Sequence, residues 1–149
     1  MRWIAVLIAA LMTLGCATNT NTVKPPTAPP SQEQARVELG TQRPADRISA
    51  YRLDGELVRG LRFPDLEAGA HNVQVRFHYE VPGSAGGTGM PGEAQMRTCI
   101  LGIEYADFSP GVTYRFVADR LGIRPVGWLE SADSQRLASA EILRCGPGA

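Results

Sequence analysis

The chain carries three cysteines, two histidines and 15 acidic residues, and these are its candidates for catalysis or metal binding. His71 and His78 are the two imidazoles that a general base or a metal ligand would draw on. Around them Val73, Val75, Phe77 and Tyr79 alternate with Asn72, Gln74, Arg76 and His78, the period of a strand with one buried and one wet face. An odd separation along one strand sends the two rings to opposite faces unless a bulge intervenes, so both read as surface histidines. The carboxylates do not cluster. Asp65 with Glu67, and Glu130 with Asp133, flank turns, where the turn and capping preferences of Asp account for them. There is no G-x-S-x-G elbow and no C-x-x-C pair. The expectation is a chain that is not an enzyme, with no catalytic residue, no metal and no cofactor. An active site assembled from distant positions would leave no such motif.

Two stretches suggest binding instead. Residues 81–93 (VPGSAGGTGMPGE) hold five glycines and two prolines. They lack the G-x-x-x-x-G-K-[ST] pattern of a phosphate-cradling loop, and strands rather than a helix flank them. They read as a loop joining two strands, with Gly83, Gly86, Gly87, Gly89 and Met90 as a candidate binding loop. Arg52, Arg76, Arg97 and Arg115 alternate with apolar residues on expected strands. On neighbouring strands they would form a basic face suited to anionic glycan, lipid headgroup or protein carboxylates; the alternative is the solvated face of an antiparallel sheet. Lys+Arg 15 balances Asp+Glu 15, the basic residues are scattered singly, and Lys24 is the only lysine. Nucleic-acid binders show a basic patch or stripe, so no nucleic-acid partner is expected.

The N-terminus indicates location. Arg2 precedes an unbroken apolar run over residues 3–14 (WIAVLIAALMTL), then Gly15 and Cys16. The run is too short to span a bilayer, which needs ~20 residues, and its flanks are those of a secretory signal. Leu14-Gly15-Cys16 resembles the lipobox of bacterial lipoproteins, with Thr13 where the family usually has Leu. The resemblance implies cleavage after residue 15 and acylation of Cys16, palmitate being one of the acyl chains such proteins carry. Two or three chains would hold the protein stably. Ala17 stands where an Asp marks inner-membrane retention in that family, so the implied location is the outer membrane facing the periplasm. With Cys16 acylated, Cys99 and Cys145 remain as a pair in an oxidising compartment, the setting of a disulfide; two separate buried thiols are the alternative. Closing a loop of ~46 residues would stabilise the domain by roughly 4 kcal/mol.

The elements that must position these residues are strands. Residues 16–47 hold no aromatic residue and four prolines close together, Pro25, Pro26, Pro29 and Pro30. They read as a disordered, lipid-anchored linker, extended by its prolines. Ser31-Gln32-Glu33-Gln34 has capping-box spacing for a helical turn or two that would fray. The domain is expected over residues 48–149. It opens with a strand at 48–53, an Asp54-Gly55 hairpin turn and a second short strand. Strands follow at 72–80, 95–105, 112–118 after a Pro110-Gly111 turn, 123–130 and 137–145. Pro125 argues for an edge position. Ser131 either belongs to a turn or caps a short helix through Ala138.

Recurrent turns between short strands point to an all-β fold, a single small antiparallel β-sandwich. The stretch 48–118 contains the D-G turn, L-x-x-G-x-H-x-V-x-V-x-F over 66–77 and P-G-x-x-Y-x-F over 110–116. It resembles small exported β-sandwich modules of the PEGA and carboxypeptidase-regulatory-like kind. That resemblance implies a non-catalytic binding or structural module and transfers no catalytic residue. The expected function is an accessory in the envelope, engaging a protein or glycan through a sheet face or loop. The alternative is an inhibitor of a hydrolase acting through the glycine-rich loop.

Overall fold

Period-two alternation is realised over ten strands in the computed structural model, which describes residues 29–83, 92–146 and 149. In chain order they are β1 (Gln34–Thr41), β2 (Arg47–Leu53), β3 (Glu56–Leu57), β4 (Leu66–Glu67), β5 (Gly69–Gly83), β6 (Gly92–Phe108), β7 (Thr113–Leu121), β8 (Arg124–Glu130), β9 (Arg136–Ser139) and β10 (Glu141–Cys145). No helix occurs among the described residues. One sheet has the order β4-β1-β7-β8-β9, the other β10-β6-β5-β2-β3. The two pack face to face as a β-sandwich.

The alternating run at 72–80 widens into the long β5–β6 hairpin, in which Val73, Val75, Phe77 and Tyr79 stand opposite Ile103, Leu101, Cys99 and Arg97. All but Arg97 are essentially buried and form the floor of the core. Phe116, Ala118, Leu129, Ala35 and Val37 cover them from the other sheet. Between the layers Gly127 is tightly enclosed: a Cβ there would lie 3.2 Å from Leu101, Phe116 and Ala140, each of which would have to give by a few tenths of an ångström. At one end Tyr79 donates its hydroxyl to the Ile123 carbonyl (2.9 Å). At the other, the Tyr114 hydroxyl donates to Asp107 O (3.1 Å) and accepts from the Ser109 amide (2.8 Å), fixing the Pro110-Gly111 turn.

The sandwich begins before the boundary expected near Ile48. Part of the segment expected to be a linker is β1, with Ala35 and Val37 buried. Ala35, Val37 and Leu39 alternate with Arg36, Glu38 and Gly40, and three modest apolar side chains suffice because β1 is paired on both sides. Its β7 partner runs parallel, the one exception to antiparallel pairing among the described strands. Ser31 closes a turn onto the Gln34 amide (3.1 Å) rather than capping a helix. Residues 16–28 lie outside the described residues.

Three further expectations change. Ile123 is not in a strand: with Gly122 (φ +64°) it forms the two-residue turn between β7 and β8. Pro125 is not on an edge strand, since β8 lies between β7 and β9. It is tolerated because β9 pairs only with residues 128–130, leaving that stretch of β8 unflanked. The stretch 137–145 is two strands: β9 completes one sheet, and after Ala140 the chain crosses to β10 in the other. Of the two readings of Ser131, the turn is the one observed, with the Ser131 amide donating to Gln135 O (3.0 Å).

Cys99 and Cys145 form the disulfide, 46 residues apart in sequence. They are direct partners on adjacent strands, with Cα atoms 4.0 Å apart, so the bond staples β10 to β6 within one sheet. Replacing both cysteines by Ser is expected to lower stability by roughly 4 kcal/mol, read as an earlier denaturant midpoint.

A second clamp joins β1 to the segment before β4. Arg36 donates Nε and an Nη hydrogen to the two carboxylate oxygens of Asp65 (2.8 and 2.9 Å). That pairing, opposed by partial burial, holds the Asp65 carboxyl below the ordinary carboxylate value. A depressed folded-state pKa adds stability above the unfolded value and loses it as pH falls through the folded one. Asp65→Asn is therefore expected to cost roughly 1–3 kcal/mol near neutrality. The difference from wild type should shrink below about pH 4, and acid titration of both stabilities checks it.

Candidate functional site: an arginine cluster about Tyr51

The site grows out of a β-bulge. Ile48 and Ala50 of β2 face the core opposite Phe77 and Val75, and Ser49 faces outward opposite Arg76. The register then shifts between Ala50 and Arg52, so that Arg52 pairs with Gln74. Tyr51 is the extra residue, and its ring lies on the outer face beside the Arg52 side chain. Bulge and pairing bring three guanidinium groups around one phenol. The Cζ atoms of Arg76, Arg52 and Arg144 lie 4.7, 5.3 and 5.9 Å from the Tyr51 ring centroid, within cation–π reach. Arg144 Nη2 donates to the Tyr51 hydroxyl (3.0 Å), Arg52 Nη1 to Gly55 O (2.6 Å) and Arg76 Nε to the main-chain oxygen of Ala149 (3.1 Å). Ile100 pairs with both Arg76 and Arg144 and is only 1% exposed although it faces outward. Burial of this kind is what methylene stems of flanking arginines provide.

The gathering of three like charges about one ring is what distinguishes this place. Arg36, Arg43, Arg115 and Arg120 are paired with Asp65, Asp119, Glu130 and Asp46. Arg52, Arg76 and Arg144 make no ion pair with an Asp or Glu side chain among the described residues, and Arg76 reaches an oxygen of Ala149 instead. The electrostatics follow. The guanidinium groups beside it, Arg52 foremost and then Arg144 and Arg76, hold the Tyr51 phenol below its ordinary value against the opposing effect of burial. On the same face, burial first and then Arg76 and Arg47 depress the His78 imidazole.

Of the four arginines expected on one face, the structure brings together two. Arg52 and Arg76 join the cluster. Arg97 stands opposite Tyr79, on the inward side of β6, and Arg115 belongs to the other sheet, 3.7 Å from Glu130. Tyr51 and Arg144 take their places. Of the glycine-rich loop, Gly83 ends β5 opposite Gly92; Gly86, Gly87, Gly89 and Met90 lie outside the described residues, as does Cys16.

The histidines are on opposite faces. His71 is a clasp: Nδ1 meets Asp54 Oδ2 (2.7 Å) and Nε2 meets Glu67 O (2.9 Å). Asp54 in turn accepts the Asn72 amide through Oδ1 (2.8 Å), which pins the Asp54-Gly55 turn. His78 Nδ1 meets the Thr98 hydroxyl (2.8 Å). The turn-flanking carboxylates are engaged too: Glu130 accepts from Trp128 Nε1 (2.9 Å) and Asp133 from the Ser131 hydroxyl. Among the described residues, no group of three or more His, Cys, Asp or Glu could hold a metal ion.

Comparison with protein families, curated proteins and solved structures finds no match to the chain.

The Tyr51 cluster makes its own prediction. The phenol should ionise below the ordinary tyrosine value of about 10, and Arg52→Ala or Arg144→Ala should move it back up. Ultraviolet titration of tyrosinate in the wild type, the two variants and Tyr51→Phe would measure this.

Proposed function

We propose that this chain is a lipid-anchored, non-catalytic binding module of the bacterial cell envelope. Cys16 holds it at the outer membrane facing the periplasm, and the outer face of the β10-β6-β5-β2-β3 sheet engages an anionic partner on an envelope protein or glycan. The observation that carries the binding role is the gathering of Arg52, Arg76 and Arg144 about Tyr51 with no Asp or Glu side chain paired to them among the described residues. A face kept only for solubility gains nothing from concentrating like charges, whereas a partly desolvated guanidinium fork matches carboxylate or phosphate oxygens. Both histidines, and Asp65, Glu130 and Asp133 of the turn-flanking carboxylates weighed as catalytic groups, are engaged in local hydrogen bonds or ion pairs, which favours a binding role over catalysis. The anchor rests on the charged, apolar and small-residue pattern of residues 1–16.

In-cell crosslinking of tagged full-length protein, followed by mass spectrometry, tests the reading. A dominant envelope partner crosslinked to β2, β5 or β10 is expected, with its yield falling several-fold in the Arg76→Ala/Arg144→Ala variant. A partner captured equally by that variant would remove the arginine face from the function. Cys16→Ser should shift the chain out of the membrane fraction, and retention there would overturn the lipid anchor.

A further inference from the structure

The geometry points to a phosphate-bearing anion as the ligand of the outer sheet face, held over Tyr51 by Arg52, Arg76 and Arg144. This rests on the reading of that face as an anion-binding surface and names the anion. A carboxylate has one charge and two oxygens in a plane, and a single guanidinium fork satisfies it, as Asp65 satisfies Arg36 with two parallel bonds. Here three guanidinium groups reach one phenol from β2, β5 and β10, each within 5.9 Å of its centroid or closer. Convergence from three strands fits a tetrahedral group with several non-bridging oxygens and a charge between one and two at neutral pH.

The remaining donors agree. The Tyr51 oxygen accepts from Arg144, which leaves the hydroxyl hydrogen to donate. Arg76 uses Nε on Ala149 O, so its terminal nitrogens stay available, and the Ala149 contact shows that an oxygen acceptor enters this zone. Ser49 stands beside Arg76 on the same face and adds a second hydroxyl. Burial of Ile100 beneath gives the arginine stems a fixed apolar floor, which lowers the ordering loss on binding. The field is felt at Tyr51, whose phenol is shifted in the direction that the neighbouring guanidinium groups impose, while at His78 burial acts first and Arg76 and Arg47 add to it.

Full-length protein in a neutral detergent, titrated with inorganic phosphate and with acetate at equal ionic strength, tests the assignment through the NMR signals of the arginine Nε–H groups. Saturable shifts of Arg52, Arg76 and Arg144 are expected, with phosphate bound about ten-fold or more tightly than acetate. Arg76→Gln and Arg144→Gln should each weaken phosphate binding by a similar factor, and an unchanged thermal midpoint shows that they remain folded. Displacement of phosphate by vesicles containing phosphatidic acid assigns the group to a lipid headgroup. Saturable binding without displacement assigns it to a soluble phosphate, and both results uphold the proposal. Acetate bound as tightly as phosphate overturns the phosphate assignment but leaves an anion-binding face. Binding of neither anion overturns both readings, and phosphate binding unaltered in the two variants overturns the site.

Discussion

The inner face of the β5–β6 hairpin is the surface against which the other strands are laid. Val73, Val75, Phe77, Tyr79, Cys99, Leu101 and Ile103 are at most 2% exposed, and burying that apolar area is the main favourable term available to a domain of this size. Because side chains alternate strictly along a strand, the same commitment sends Arg76, His78 and Ile100 outward. The arginine cluster is thus the reverse side of the core. Sliding β5 by one residue to move Arg76 would expel the aromatic floor.

Around that hairpin the sheet is completed from two distant parts of the chain. β2 arrives from the N-terminal side and places Tyr51 by a bulge; β10 arrives from the C-terminal side, having crossed from the other sheet at Ala140. The disulfide ties β10 to β6 at the end of the chain, next to Arg144. β10 is an edge strand, exposed from Glu141 through Arg144 with only Cys145 half-buried, and has little burial of its own to hold it. A covalent bond therefore does for Arg144 what core packing does for Arg76.

Much of the sandwich is legible in the sequence because its signals are local. The alternation at 72–80, the Asp54-Gly55 turn and the Pro110-Gly111 turn each depend on a few adjacent residues, and all three form as expected. So does the pairing of Cys99 with Cys145, expected from the cysteine count and the signal-like pattern of residues 1–16. β1 is harder to see: Ala35, Val37 and Leu39 alternate correctly, but the alternation is short and stands beside a proline-rich segment. Its strand character comes from β4 and β7, which no local window contains. The site fails to be legible for the same reason. Strict alternation places Tyr51 and Arg52 on opposite faces, and only the bulge between Ala50 and Arg52 puts both outside. Arg115 alternates as cleanly as Arg76, yet its strand pairs into the other sheet. Which strands share a sheet is a non-local fact, so Arg144 could be found only once β10 had a partner.

The parallel pairing of β1 with β7 has a consequence in time. Arg36 meets Thr113, so most of the domain must be synthesised before β1 has its main partner. Contacts this distant in sequence carry a large loop-closure cost, and folds dominated by them form in about milliseconds to seconds rather than microseconds. Through that interval the apolar side of β1 is uncovered, and the β5–β6 hairpin, closed by nearest-neighbour contacts, is the part able to form first. A strand that emerges early and is consumed late is an opening for a chaperone to hold, and for aggregation when none does.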